Sequence, residues 1–423
     1  MKMVAVKSLK HPEVRALSGR EPAPTPAIAA LVQGILKDVK ARGHAAALEY
    51  ARKHDGLKGP LAVSAAEIDR KAGGLDAGLK RAIRKAITNV RAFHERQSEK
   101  SWEFTGKDGE VLGQIIRPLA RVGVYVPGGA GIYPSTLIMN TVPARVAGVK
   151  DIAVVTPAPN GLHATIAYAA KQLGITEIYR IGGAQAVGML AYGTSKVPRV
   201  DKIVGPGNVF AALAKKEVFG TVDIDMIAGP SEILVLCDDS ADPDWVAADL
   251  LSQAEHGSGY EAAVCITTSD IAARAVADCV ARQVESSPKR AILEKSLARY
   301  GRIFLVPDWD LGCALADSIA PEHLEILTRD PGILAAKIRN AGALFLGPYS
   351  SEPVGDYFAG PNHVLPTNGS ARFFSPLGAY DFYKRTSLIR YSSRALSRHG
   401  ADIAALADAE GFFHHAQAVR KRL

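Results

Sequence analysis

Between Arg121 and Leu346 the chain repeats one pattern: a short apolar run, a turn bearing glycine or proline, then a stretch with helical periodicity. No other feature restricts the fold as tightly. Residues 122–126 read as a strand running into Pro127-Gly128-Gly129-Ala130-Gly131, with a helix over 135–147 behind it. Strands over 152–155, 177–181 and 202–204 follow, separated by helices over 161–173 and 184–193. A second series places strands at 233–236, 262–266, 302–306, 324–327 and 344–346, with helices over 242–256, 269–286, 309–317 and 331–339. Short buried strands alternating with helices predict mostly parallel sheets covered by helices. Two such series predict an α/β protein of two Rossmann-like, incomplete doubly wound domains, with a ligand cleft between them.

The flanks are built differently. Residues 24–53 carry Ile28, Leu31, Val32, Ile35, Leu36 and Val39 at helical spacing, and about 66–98 carry Leu79, Ile83, Ile87, Val90 and Phe93 in the same way. Trp102-Glu103-Phe104 and residues 111–116 flank an Asp108-Gly109 turn, which is a hairpin signal. After residue 368 the chain starts extended and then shows helical patterns over 394–409 and 412–421. At 423 residues the chain exceeds one ordinary core. The expected division is a helical N-terminal arm (1–100), a first α/β domain (101–230), a second (231–368) and a C-terminal tail (369–423) too short for its own core.

A net charge of +8 raises nucleic-acid binding as a rival reading. The basic residues are scattered, as in Arg84-Lys85, Lys215-Lys216 and Arg420-Lys421-Arg422, without the interleaved aromatics that stack on bases. The charge suits solubility and attraction of an anionic cofactor instead. No run approaches the roughly 18 apolar residues of a membrane span, and the first residues lack the apolar core of a signal peptide. Cys237, Cys265, Cys279 and Cys313 show no CxxC spacing and read as buried thiols of a cytoplasmic protein.

Four short segments carry chemistry. In Ser252-Gln253-Ala254-Glu255-His256-Gly257, Gln253 and His256 lie three apart, so at a helix end an amide oxygen and an imidazole can face one ion. Two ligands fall short of the three or four a bound Zn²⁺ takes, and ordinary polar residues at a helix end would look the same. The turns Pro127-Gly128-Gly129 and Gly205-Pro206-Gly207-Asn208 would let backbone N–H groups approach an anion, or serve only as turns; no GxGxxG fingerprint occurs. In Ala320-Pro321-Glu322-His323 the proline biases Ala320 away from helix, placing a carboxylate and an imidazole at the mouth of a strand. An imidazole with pKa near 6.5 suits a general base, although a proline-led turn with two solvated residues is the plainer reading.

These segments, together with residues 224–232 (IDMIAGPSE), 320–325 (APEHLE) and 355–366 (GDYFAGPNHVLP), resemble in sequence and order the blocks of the histidinol dehydrogenase family. The likeness runs from about Arg121 to the C-terminus and is more diffuse before it. It implies Zn²⁺ held by Gln253, His256, Asp356 and His415, with His414 a competitor that the family's Glu-to-His spacing disfavours. It implies NAD contacts at Tyr125, Gln185 and Asn208. Substrate contacts are implied at Ser231, His363 and Glu410, alongside His323 and the metal ligands. His323 would be the base for L-histidinol oxidation to L-histidinal, and Glu322 would activate water for a second NAD⁺-linked oxidation to L-histidine, closing histidine biosynthesis. The tail would cross to the partner of a homodimer, carrying Glu410 and His415. Asp356 is expected in a Gly/Pro-rich loop without a helical face, and two departures from the family pattern, Pro353-Val354 and Phe412-Phe413, flank role-bearing positions. The alternative within enzymes is a zinc- and NAD-dependent dehydrogenase of another small polar alcohol; His363 and Glu410, the recognition pair, argue against it. A metal-stabilised scaffold without catalysis would have no reason to keep Glu322 and His323.

Overall fold

A computed structural model describes residues 1–20, 25–128 and 131–423. The first parallel sheet runs Glu177–Tyr179, Asp151–Val155, Arg121–Tyr125, Lys202–Val204, Asp223–Ile224. Helices Pro134–Ala147 and Ala164–Gln172 share one core with it, and helices Gly183–Tyr192 and Val209–Val218 share another. The second parallel sheet runs Lys2–Ala5, Gly301–Leu305, Ala262–Thr267, Glu232–Cys237, His323–Leu327, Ala343–Leu346. Its middle strands are buried along their whole length, which is why they read as continuous apolar runs. The doubly wound α/β architecture is the one the alternating pattern predicts. A third, antiparallel sheet joins Trp102–Thr105 and Val111–Pro118, the hairpin around Asp108-Gly109, to Tyr383–Arg390.

Several elements differ from the sequence reading, each for a local reason. The helical pattern over 24–53 is two helices, Pro26–Arg42 and His44–His54, because Gly43 turns left-handed at φ 57°; residue 24 itself lies outside the described residues. The pattern over 66–98 is likewise Ala65–Gly73 and Ala77–Glu95, since Asp76 Oδ1 accepts from the Gly78 and Leu79 N–H groups and caps a new helix. Both pairs of helices form outer layers over the first sheet. Lys2–Ala5 is not part of a helical arm: it covers the edge of the second sheet by pairing with Gly301–Leu305. Four residues are too few to show a period, so this strand was invisible to pattern. Helix Arg290–Tyr300 was also not anticipated, strand Tyr383–Arg390 falls in the stretch after residue 368 expected to be extended, and the helix over 331–339 is only Pro331–Ala335.

Candidate active site

Helix Trp309–Ile319 ends at Ala320, a buried non-glycine residue in the left-handed region (φ 51°, ψ 63°). Such a conformation costs on the order of 1–3 kcal/mol and is held only where the surroundings over-determine it. Here the Ala320 N–H donates to Ala316 C=O, and after Pro321 the Ala343 N–H donates to Glu322 C=O, both at 2.9 Å or less. The reversal delivers Glu322 and His323 to the amino edge of strand His323–Leu327, both buried. There the neighbouring strand's first residue clamps them. The Glu232 N–H donates to Glu322 Oε2 at 3.0 Å, and His323 Nδ1 lies 2.9 Å from Glu232 C=O. A carbonyl only accepts, so Nδ1 carries a proton, and in the neutral ring it is Nε2 that keeps the lone pair.

His323 Nε2 lies 3.4 Å from Asp356 Oδ1 and 3.8 Å from Glu352 Oε1. Burial alone would depress the imidazole, but Glu322, Asp356 and Glu352 outweigh it and push its pKa up to about 10. Burial raises Glu322 to about 8, helped by the charge on Glu232. Asp356 stays ionised: burial would raise it, yet His323 and His363 hold it well below the usual carboxylate range. The sequence reading put Asp356 in a loop; it sits instead on the short helix Glu352–Tyr357, with Pro353 in the first turn, where a missing N–H costs nothing. Pro353 therefore starts the element that carries Asp356. Gly355 is needed there, because a Cβ would lie 2.6 Å from Phe345 Cε1.

Gln253 Oε1, His323 Nε2 and Glu352 Oε1 are buried without a hydrogen-bond partner. Gln253 Oε1 is an acceptor, and His323 Nε2 and Glu352 Oε1 become acceptors when deprotonated, the state in which a cation would satisfy all three. His323, Glu352 and Asp356 each offer one ligand atom within 4.8 Å of the others. This arrangement fits a divalent metal. Gln253 is in the last turn of helix Pro243–Ala254, and His256 follows just beyond it, with its Nδ1 3.0 Å from Ser231 Oγ. In a wound α/β unit a helix ends at the edge where the next strand begins, so Gln253, His256 and Ser231 arrive at the same amino edge as His323.

Glu352 was missed by sequence reasoning. It is buried, its Oε2 accepts from Ser252 Oγ at 3.0 Å, and its N–H donates to Glu325 Oε1 at 2.7 Å. The only signal was an acidic residue four before Asp356, one helical turn away. Glu410 and His415 are exposed on the C-terminal segment, whose helices Ser393–Ala409 and Phe413–Arg420 pack on each other, and neither belongs to the acceptor cluster.

Tyr125, Gln185 and Asn208 line one cavity of about 1060 Å³ at the carboxyl ends of the first sheet's strands. That is above the roughly 300–1,000 Å³ of small-molecule sites and leaves room for a dinucleotide. Tyr125 is buried, and its hydroxyl accepts from the Gly183 N–H at 2.9 Å; burial pushes its pKa up to about 12, so it stays neutral. Gln185 donates to Asp55 Oδ2, a carboxylate the sequence reading did not single out. Asn208 Oδ1 caps helix Val209–Val218, leaving its amide N–H₂ for a ligand. Gly205 allows the strand to turn, since a Cβ would stand 2.1 Å from Tyr125 O. Gly129 and Ala130 of the other glycine turn lie outside the described residues. Tyr133 stands in its wall, and burial, with the charges of Asp356 and Glu352, raises the pKa of Tyr357.

Residues 19–423 match the family model "Histidinol dehydrogenase". A histidinol dehydrogenase of Dechloromonas aromatica is 49% identical over 432 aligned positions, covering 100% of both chains. One from Geobacillus kaustophilus is 51% identical over 93% of each. The crystal structure of the Elizabethkingia anophelis histidinol dehydrogenase superposes with a TM-score of 0.94 at 33% identity, covering 100% of this chain and 98% of that one.

Proposed function

Because this chain belongs to the histidinol dehydrogenase family, we propose that it oxidises L-histidinol through L-histidinal to L-histidine with two NAD⁺, as a cytoplasmic enzyme of histidine biosynthesis. The observation that carries this is the acid–base pair Glu322 and His323, anchored on one backbone residue and opening onto unpartnered acceptors beside Asp356.

In this reading Gln253, His256, Asp356 and His415 of the partner subunit would hold Zn²⁺, a mixed nitrogen and oxygen set that suits it. The metal, when bound, would anchor the substrate's imidazole and amine. A cation held beside Asp356 would oppose imidazolium formation and so lower the His323 pKa, which favours its use as a base. Tyr125, Gln185 and Asn208 would hold NAD⁺, whose chemistry there would be to take up hydride. His323 Nε2 takes the hydroxyl proton of histidinol. Glu322, raised toward neutrality by burial, then removes a proton from the water that adds to the aldehyde. Ser231 and His363 border the substrate at the same edge, and Glu410 pairs with its amine from the partner chain.

The tail supports exchange between subunits. Ile389, Leu406, Phe412 and Phe413 are exposed in the single chain, apolar surface that a second copy could cover. The division into arm, two α/β units and tail is kept, with Lys2–Ala5 assigned to the second unit. Among the described residues no helix is long and apolar enough to cross a membrane.

The test supplies purified protein with Zn²⁺, NAD⁺ and L-histidinol. Two NADH per histidine are expected, and alcohols lacking the imidazole or amine should be poorer by roughly 10⁴, because they leave buried polar groups unpaired. One NADH with free aldehyde as product would refute the two-step reading, and turnover of an unrelated diol alone would favour the other alcohol dehydrogenase.

A further inference from the structure

The backbone of Glu232 holds both catalytic side chains, which raises the question of what holds Glu232. Its side chain is buried and forms an ion pair with Arg20, whose side chain is buried as well. The same carboxylate accepts the Asn368 N–H at 2.5 Å. Asn368 is one of two non-glycine residues with positive φ among the described residues, and the other is Ala320, at the turn that delivers Glu322. Next to it Thr367 Oγ1 accepts the Gly229 N–H at 2.6 Å. A Cβ on Gly229 would lie 2.0 Å from Asn368 Nδ2, so the two segments interlock.

Arg20 comes from far away in sequence. It follows helix Pro12–Ser18, which packs on helix Trp309–Ile319, and its guanidinium also lies 5.1 Å over the Tyr300 ring. Burial pushes the Glu232 carboxyl up, and Arg20 with the Asn368 N–H opposes this. Without the guanidinium, a carboxylate would be left buried and uncompensated at the first residue of the strand that positions the active site.

We propose that Arg20 and Glu232 are positioning residues: the ion pair between the N-terminal segment and the head of strand Glu232–Cys237 fixes the Glu232 backbone in the register that presents His323 Nε2 and Glu322 to the substrate. Neither side chain touches the reacting atoms. The pair acts through two backbone hydrogen bonds, of which the one to His323 Nδ1 also sets the ring tautomer. This inference rests on the reading of Glu322 and His323 as the acid–base pair.

The experiment compares the full-length parent with Arg20→Met, Arg20→Lys and Glu232→Gln, each loaded with zinc and checked for parent-like circular dichroism and mass. Displacements of about 1 Å at a reacting group cost up to roughly 10²-fold. The expected result is therefore a kcat lowered about 10- to 100-fold in Arg20→Met with KM values for histidinol and NAD⁺ within a few-fold, and partial recovery in Arg20→Lys. The second readout is the ¹⁵N signal of the His323 ring, assigned with His323→Asn. It should report a proton fixed on Nδ1 in the parent and a mixture of tautomers in Arg20→Met and Glu232→Gln. A folded Arg20→Met with parent kcat and an unchanged ring signal overturns the proposal. If Arg20→Met does not fold, Arg20→Lys and Glu232→Gln decide by the same two readouts. Should His323→Asn keep full activity, the acid–base reading fails, while the ring signal still reports whether the pair fixes the imidazole.

Discussion

The two parallel sheets are wound alike but are used from opposite ends. In the first, the cavity lined by Tyr125, Gln185 and Asn208 lies beyond the carboxyl ends of the strands, where glycine turns open a crevice. In the second, Glu322, His323, Gln253 and Asp356 gather at the amino edge, where helix ends and strand beginnings meet. A carboxyl-end site offers backbone N–H groups and neutral side chains, which suits a large ligand held by many weak contacts. An amino-edge site receives helix C-termini and whatever side chains begin the strands, and here those are carboxylates and imidazoles. On the proposed function the first sheet would serve as the binding half and the second as the chemical half.

If that division holds, the largest effects should come from the second sheet. Chelation should abolish activity and leave binding of NAD⁺ measurable, and His415→Ala should lose most of its metal. Gln253→Ala chains co-purified with His415→Ala chains should regain activity, because one site of the mixed dimer is intact. Metal analysis and activity of the separately tagged, co-purified dimer test this. No recovery, or full metal in His415→Ala alone, would place the whole site within one chain.

Next in size is the acid–base pair. His323→Asn should slow histidinol oxidation by about 10² to 10⁴. Glu322→Gln should fall instead on oxidation of added L-histidinal, the step that needs activated water. Steady-state rates with each substrate separate the two, and equal loss on both substrates in Glu322→Gln would remove the distinction between their roles.

A smaller effect is expected at Glu352, which borders the chemistry without being assigned to the ligand set. Glu352→Gln keeps the shape and removes the carboxyl beside Asp356, and losses of about 10- to 100-fold in metal affinity are typical of such neighbours. Competition with a chromophoric chelator measures it on the metal-free protein. Affinity equal to the parent's would restrict Glu352 to packing and to its bond with Ser252.

How much of this was legible in the sequence follows the same division. The winding was readable because strands such as Glu232–Cys237 are buried on both faces and therefore apolar throughout. The candidate site residues came from a resemblance that spans their segments, not from pattern. What pattern missed is tertiary. Lys2–Ala5 is a strand only because Gly301–Leu305 leaves an edge to cover, and Arg20 pairs with Glu232 across 212 positions, a spacing no local period encodes. Glu352 announces itself only once helix Glu352–Tyr357 is folded over Phe345, because its significance lies in an oxygen left without a partner. The helix breaks at Gly43 and Asp76 carry local signals, a glycine and an acidic cap, that the longer apolar stripe masked.

The smallest effect should arise in the first sheet, and it bears most directly on the division of labour. Gln185 is buried in the cavity wall, with its amide N–H₂ donating to Asp55 Oδ2, which also accepts the Gly182 N–H at 3.0 Å. Gln185→Ala removes one neutral group from the cofactor wall and leaves Asp55 one remaining partner. A single neutral hydrogen bond contributes about 1 kcal/mol net, roughly fivefold in affinity. The KM for NAD⁺ should therefore rise about fivefold, while kcat at saturating NAD⁺ stays near the parent value, because no group that moves a proton has changed. Initial rates over a range of NAD⁺ at fixed, saturating histidinol resolve the two constants. A fall in kcat with an unchanged KM would show that the cavity wall acts on the reacting geometry as well, and that the two halves are mechanically one site.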